Sequence, residues 1–492
     1  MKGEGQMRNK RGARVFGIIC IIFFIIVVVL CSAVLYGAER VIYVPDDYAK
    51  IQWAVNNASA GDTIIIRDGF YKENILVNRS FITIRSENGS ENCIVKAADP
   101  TNHTFQILAN YVNIQGLTVI GAIASVPPWP AGIHLEGADY CNISNNKVMY
   151  NHDGIELDGT ASNPCRFNVI KNNIVKNNPE NCIEIDPFSD NNLIENNTIE
   201  RCRCELLLYK SYNNTLINNT MTDNMGLFGV LGSEVAHFIH NIDTSNMVEG
   251  KPIYYWIGKQ NQQVPSDAGY VGLVNSRNIR VTGLTLTNNT EAIILVNSSN
   301  ISVNAVNASF NFYGIYLFFS SSNKIRNVNS LNNALYGIIL RNSSNNIIYH
   351  CNFTGNKLNP IPEQKRNYGI TLIGSSNNRV ILNNIVNNSF GIVIFNSTNN
   401  SIYLNNFIEN SHNAYLFKSE CKWNSTFEIT YIYKGKIFKS YMGNYWSDYS
   451  GNDADGDGIG DYPYIINSHN KDNYPLVEPW DRYVIVSLRG VE

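Results

Sequence analysis

The sequence predicts an all-β fold, a right-handed parallel β-helix wound as a single-stranded solenoid of about 22 residues per coil. Three observations predict it. The stretch GITLIGSSNNRVILNNIVNN (369–388) returns as GIVIFNSTNNSIYLNNFIEN (391–410) and is preceded by GIILRNSSNNIIYHCNF (337–353). Within each copy Ile, Val and Leu take every second position over short runs, the period of a strand rather than a helix. Asn-rich corners separate the runs, and Asn suits them because it tolerates the left-handed region and can bond along a stack of its own kind. One such unit cannot bury its apolar side alone, so it must lie on its neighbours.

Taken in order, residues 1–14 carry Lys2, Arg8, Lys10, Arg11 and Arg14 against one acid, Glu4. An apolar run follows over 15–35, long enough to cross a bilayer with the basic end cytoplasmic. The expectation for 1–38 is therefore one N-terminal transmembrane helix. Tyr36-Gly37-Ala38 is a poor cleavage site, which favours an uncleaved anchor; a secreted chain is the alternative if the segment is removed. Everything beyond 38 then lies outside the cell. Residues 39–60 read as an N-terminal cap, in which Pro45-Asp46-Asp47 opens a short helix carrying Ile51, Trp53, Ala54 and Val55 over the apolar end of the solenoid. Coils fill 61–420, a rod on the order of 70 Å long at ~4.8 Å per layer. Insertions near 125–130, 241–270 and 357–366 interrupt it, and insertions in solenoids map to loops. From 421 to 492 the repeat gives way to an aromatic-rich C-terminal cap.

Charged residues make up 16% of the chain and the formal net charge is −3, so the basic stripe of a nucleic-acid binder is missing. Asn-x-Ser/Thr sequons, among them Asn57, Asn78, Asn142, Asn300 and Asn352, agree with an exported chain. Five cysteines crowd into 141–204, and in an oxidising compartment they point to disulfides. Cys182 and Cys204 read as equivalent positions on consecutive coils, close enough to be bridged.

The opening of the exported part reads V-P-D-D-Y (44–48), I-Q-x-A-V (51–55), G-D-T-I-x-I (61–66) and G-x-Y-x-E-N (69–74). This pattern resembles the start of pectin-lyase-like β-helix proteins. It is most similar to the NosD-type group of archaeal surface proteins, described as copper-binding or as carbohydrate-binding and sugar-hydrolysing. Residues 241–279 and 444–480 resemble segments that recur in that group. The resemblance implies a β-helix over nearly all of 40–480 and a carbohydrate ligand. It also implies copper, which the residues themselves support poorly: the eight His are scattered, and His237/His240 is the close pair.

Three early coils align as GIHLEG (132–137), GIELDG (154–159) and CIEIDP (182–187). With the Ile and Leu pointing inward, alternation puts His134, Glu156 and Glu184 in one outward column and Glu136, Asp158 and Asp186 in another. Carboxylates stacked this closely raise one another's pKa or hold a cation, and raised carboxyls suit acid/base work on sugars. These six are the candidate catalytic residues. Trp129 in the nearby insertion, with His152 and Asp153, is the candidate sugar-binding set. In enzymes of the fold acidic residues similarly sit on outer strand faces, but no complete lyase, esterase or polygalacturonase motif set is present.

The tail carries Asp453-x-Asp455-x-Asp457-Gly458-Ile459-x-Asp461, the first nine positions of a calcium loop. Tyr464 replaces the bidentate twelfth ligand, and Asp472 is the candidate to complete a structural Ca²⁺ site with Asp453, Asp455, Asp457, the Ile459 carbonyl and Asp461. Together these features predict a membrane-anchored extracellular β-helix that binds a polysaccharide. A carbohydrate-active hydrolase, lyase or epimerase is the second reading, and a structural adhesin the third.

Overall fold

What holds successive coils together is a set of amide ladders at the corners. Asn146, Asn173, Asn197, Asn219 and Asn246 are buried one above another, each backbone N–H donating to the side-chain oxygen of the next. Each amide nitrogen also donates to a main-chain carbonyl, as Asn173 Nδ2 does to Ile143 at 2.9 Å. A buried corner thus loses no backbone hydrogen bond to solvent exclusion. The residue before each rung, such as Asn145, Asn172, Asn196 and Asn218, lies at φ of 53–57°, the left-handed region that Asn enters at little penalty.

The computed structural model describes residues 39–125, 127, 129–223, 226–356 and 367–486. Over them the chain is an all-β parallel solenoid of about 16 turns with about 23 residues per turn. No helix among the described residues is long and apolar enough to cross a membrane. The apolar run at 15–35 and the insertion at 357–366 both lie outside them.

Each early coil contributes one strand to each of three parallel sheets, and their inward Ile, Val and Leu form a first core from Ile42 to Val248. The cap helix spans Ile51–Asn57 and buries Ile51, Ala54 and Val55. Trp53, expected on that face, is 49% exposed. The helix also starts later than expected, since 45–47 form a turn; the Glu73 carboxylate accepts the N–H groups of Ile51 and Gln52 and closes its N-terminus.

The solenoid is not one continuous rod. Two of the three early sheets end at Phe228–Leu231 and Asn241–Ile242, and two new ones begin at Arg280–Thr282 and Thr285–Leu286. The third continues through an antiparallel pair, Met247–Val248 with Lys251–Ile257, which reverses the strand direction. The 241–270 segment, expected as a loop, therefore supplies the strands that join two stacks. Beyond it, strands Tyr270–Val274, Glu291–Val296 and Tyr313–Phe318 bury both faces. Leu273, Ile293, Leu295 and Leu317 fill the second core, while Tyr270, Ile294, Val296 and Phe318 join the first. Such strands read as near-continuous apolar runs, as EAIILV (291–296) does. Sheets Ile429–Tyr433/Lys436–Ser440/Val484–Ile485 and Tyr464–Asn467/Asn470–Asp472 close the chain, with Trp423 and Trp446 buried.

Candidate functional site

Strands Ala131–Glu136, Asp153–Asp158 and Asn181–Ile185 are neighbours in one parallel sheet, with Ile133, Ile155 and Ile183 in register in the core. That register stacks His134, Glu156 and Glu184 and pairs Glu136 with Asp158. This face is sunk below the surface. Ser125 and Trp129 on one side, and Pro179, Glu180, Asn181 and Arg203 on the other, wall a cleft of about 610 Å³ that also takes in His152, Asp153, Glu156, Glu184 and Asp186. Trp129 is 47% exposed at its mouth and stacks on His152, ring centroids 5.2 Å apart. His152 is held in turn by Asp153 at 2.8 Å.

On the floor, one oxygen each of Glu156, Glu184 and Asp186 lie within 4.8 Å of one another. Burial, then the charges of Asp186, Asp153 and Glu156, hold Glu184 well above the usual carboxyl range, although the Asn181 amide donates to it. Burial, with Glu156 and Asp158 beside it, pushes Asp186 up to about 8. Burial likewise raises Asp158. Glu156 accepts from His134 Nδ1 at 3.0 Å. Burial alone would lower His134, but that bond and the charges of Glu156, Asp158 and Glu136 outweigh it and raise its pKa. A shared network thus sets the Glu156–His134 pair beside carboxyls whose pKa values burial has raised. Glu136 stands outside the cleft lining, exposed and bonded to Gln106 at 2.8 Å.

Two sequence expectations need correction. The disulfide joins Cys182 to Cys202, Cα atoms 5.6 Å apart, and Cys204 is a free thiol. The strand register pairs Cys204 with Asn181, so Cys204 is one position out of line with Cys182. That one-residue slip also concealed a site residue. Counted correctly, Glu180 faces Arg203, and the two form an ion pair of 2.7 Å in the cleft wall. The opposite charges one coil apart were the signal. His103 was missed as well: its ring lies 4.1 Å from that of His134. Its Nδ1 accepts the Ala131 N–H at 2.9 Å. A neutral His103 therefore carries its proton on Nε2 and offers no free lone pair for a metal.

The second correction concerns Asp472. It is fully buried, and its carboxylate accepts from the Asn444 backbone N–H (2.7 Å), Trp446 Nε1 (3.0 Å) and the Tyr474 N–H (3.1 Å). It clamps the hairpin of the cap and is committed there. Asp453, Asp455 and Asp457 do converge, one oxygen of each within 4.8 Å of the others. Asp453 accepts from Gly456 and Gly458, Asp457 from Ile459, and Asp461 from Ala454. Gly458 lies at φ 91°, where an added Cβ would also come within 2.9 Å of the Tyr433 and Tyr483 rings. Of the His pair at 237 and 240, both rings are engaged by the backbone: Ser233 N–H donates to His237 Nδ1 and Asn214 N–H to His240 Nδ1.

A right-handed parallel β-solenoid with a recessed acidic face is the class that fold and cleft define. The chain belongs to the NosD family, described as periplasmic copper-binding protein (NosD), whose pattern matches residues 55–261 and 241–451. It is similar to a cell surface glycoprotein of Methanothermus fervidus, 33% identical over 132 residues, which is 26% of this chain. The match spans about a fifth of that relative's length. Among solved structures, the A-module of mannuronan C-5 epimerase AlgE6 from Azotobacter vinelandii is 13% identical, with a TM-score of 0.35 over 77% of this chain and 96% of that one. Pectate lyase Pel9A is 13% identical, with a TM-score of 0.33 over 70% and 78%.

Proposed function

We propose that the protein is a cell-surface β-solenoid that binds a glycan in the 129–203 cleft and performs acid/base chemistry on it. The observation that carries this reading is the floor of the cleft: three carboxyl groups within 4.8 Å, beneath an exposed Trp129. Trp129 is the apolar platform for a sugar ring. Asp186, pushed up to about 8, is the proton donor, and Glu184, raised in the same direction by burial, stands beside it. Glu156 is the base, and His134 orients it. Glu136 and Asp158 tune the field around this pair and do not touch the sugar. Arg203, already paired with Glu180, is the sole cation among the Lys and Arg lining the cleft. A neutral glycan therefore suits the site better than a polyuronate, whose carboxylates would find no unpaired Lys or Arg among the described residues of the lining. The surface location rests on the glycoprotein relative and on the apolar run at 15–35 as an anchor.

The same chain is proposed to hold a structural Ca²⁺ at Asp453, Asp455, Asp457, the Ile459 carbonyl and Asp461. In its support, the carboxylates of Asp453, Asp455 and Asp457 converge, and none in the loop takes an ion pair with Lys or Arg among the described residues. Asp457, raised by burial and then by Asp455, Asp453 and Asp461, is the kind of carboxyl a cation would return to its ionised form.

The test is an array of neutral and acidic polysaccharides read for both binding and new reducing ends or double bonds. Wild-type protein should bind and convert a neutral glycan, with activity falling as pH rises through about 8 as Asp186 loses its proton. Asp186→Asn and Glu156→Gln should bind with near wild-type affinity and convert at least a hundredfold more slowly. Undiminished conversion by both variants would remove the acid/base assignment. Failure of any glycan to bind would remove the cleft as a sugar site.

A further inference from the structure

One corner of the second stack carries an ordered set of glycan acceptor sites. Backbone bonds from each corner residue to the coil above thread Gly258, Asn275, Asn297, Phe319, Asn342, Gly374, Asn396 and Lys418 into one column. All except the two glycines are non-glycine residues at φ of 45–50°. Every residue from 275 onward in this column is exposed. The residue after each, from Ser276 through Ser298, Ser320, Ser343, Ser375, Ser397 to Ser419, forms a hydroxyl ladder, buried as far as Ser397, each N–H donating to the next Oγ. The corner is therefore rigid, with its first side chain aimed outward and its second aimed inward.

Three of these rungs are sequons: Asn297-Ser-Ser, Asn342-Ser-Ser and Asn396-Ser-Thr. Phe319, Gly374 and Lys418 occupy the alternate rungs, so the acceptors fall on every second coil. Two layers of ~4.8 Å separate them by about 9.6 Å, room for a sugar on each, where successive rungs at ~4.8 Å leave none. Substitution on nitrogen is also compatible with the ladder. Asn297 Nδ2 donates one hydrogen to Asn275 Oδ1 at 2.7 Å, and a planar amide has a second to lose. The space above Asn342 is kept open by Gly374, where an added Cβ would lie 2.6 Å from Asn342 Oδ1. Strand-face sequons differ: Asn352 is bonded on both sides, to Asn329 at 2.7 Å and from Asn384 at 2.9 Å.

We infer that Asn297, Asn342 and Asn396 are N-glycosylated, forming a row of glycans along one edge of the second stack. In the modification, Nδ2 bonds to C1 of an oligosaccharide carried on a lipid phosphate or diphosphate. The C1–O bond to phosphate breaks, the amide loses one proton, and the lipid phosphate leaves. Phe319, 46% exposed between the first two acceptors, is covered by the sugars on either side. The edge is then closed to protein partners.

The experiment is glycopeptide mass spectrometry on the full chain purified from the cells that make it. An oligosaccharide mass is expected on the peptides bearing Asn297, Asn342 and Asn396. In the same cells, Asn297→Gln, Asn342→Gln and Asn396→Gln should each remove one glycan mass while leaving the thermal midpoint of the deglycosylated chain unchanged. Bare asparagine at any two of the three positions would overturn the inference. So would equal occupancy at Asn352, because accessibility at the corner would then not be what selects the site.

Discussion

The junction between the two stacks is held by a buried acid, and its removal makes a quantitative prediction. Glu291 begins a strand of the second stack and is fully buried. Its Oε2 accepts from Tyr270 Oη at 3.1 Å and from the Val230 N–H of the first stack at 3.3 Å, while Oε1 has no hydrogen-bond partner among the described residues. Burial pushes its pKa up to about 8, against an ordinary 4.5, even though both hydrogen bonds favour the ionised form. Below pH 4.5 the carboxyl is protonated whether the chain is folded or not, and it confers no pH dependence. Between 4.5 and 8 the unfolded chain ionises while the folded one keeps its proton, so stability is lost as pH rises. At ~1.36 kcal/mol per pH unit the loss is on the order of 3 kcal/mol at pH 7 and about 5 kcal/mol above pH 8. Glu291→Gln preserves shape and the acceptor for Val230 and Tyr270, but cannot ionise. Thermal unfolding at pH 5, 7 and 9 should show a variant whose advantage over wild type widens with pH. Hydrogen exchange should place the gain at 228–231 and 270–296. Parallel pH curves for the two proteins would refute the reasoning, because they would mean that Glu291 is solvated or paired in the folded chain.

Three further outcomes follow from the geometry. Cys202→Ser, by opening a loop of 20 residues, should cost about 3 kcal/mol of stability; Cys204→Ser should change it by less than about 1 kcal/mol, and non-reducing peptide maps should pair Cys182 with Cys202. Trp129→Ala should weaken glycan binding by about tenfold, or ~1.4 kcal/mol, with unchanged circular dichroism. Calcium at about a hundred times its Kd should stabilise the C-terminal cap by about 2.7 kcal/mol, and chelation should reverse this in wild type but not in Asp455→Asn.

Period and alternation were legible in the chain because they are local. Ile370, Leu372 and Ile392 alternate with outward residues whatever lies around them, and a unit so short has no stable form except a stack. Repeated Asn-Asn pairs likewise announced corners in which one Asn turns the chain and the next bonds inside it. What lay beyond the sequence was anything that depends on counting between coils of unequal length. A slip of one residue between Cys182 and Cys204 reversed which cysteine is bridged and hid Arg203 opposite Glu180, since strand side chains change face with every position. Only the tertiary structure shows the chain reversing at 247–252, because an antiparallel turn and a loop insertion share the same interruption of the repeat. It alone sinks the acidic face into a cleft as well. Alternation says that Glu184 and Asp186 leave the core, but their raised pKa values come from burial in a cleft that Trp129, Pro179 and Arg203, brought from other coils, help to wall.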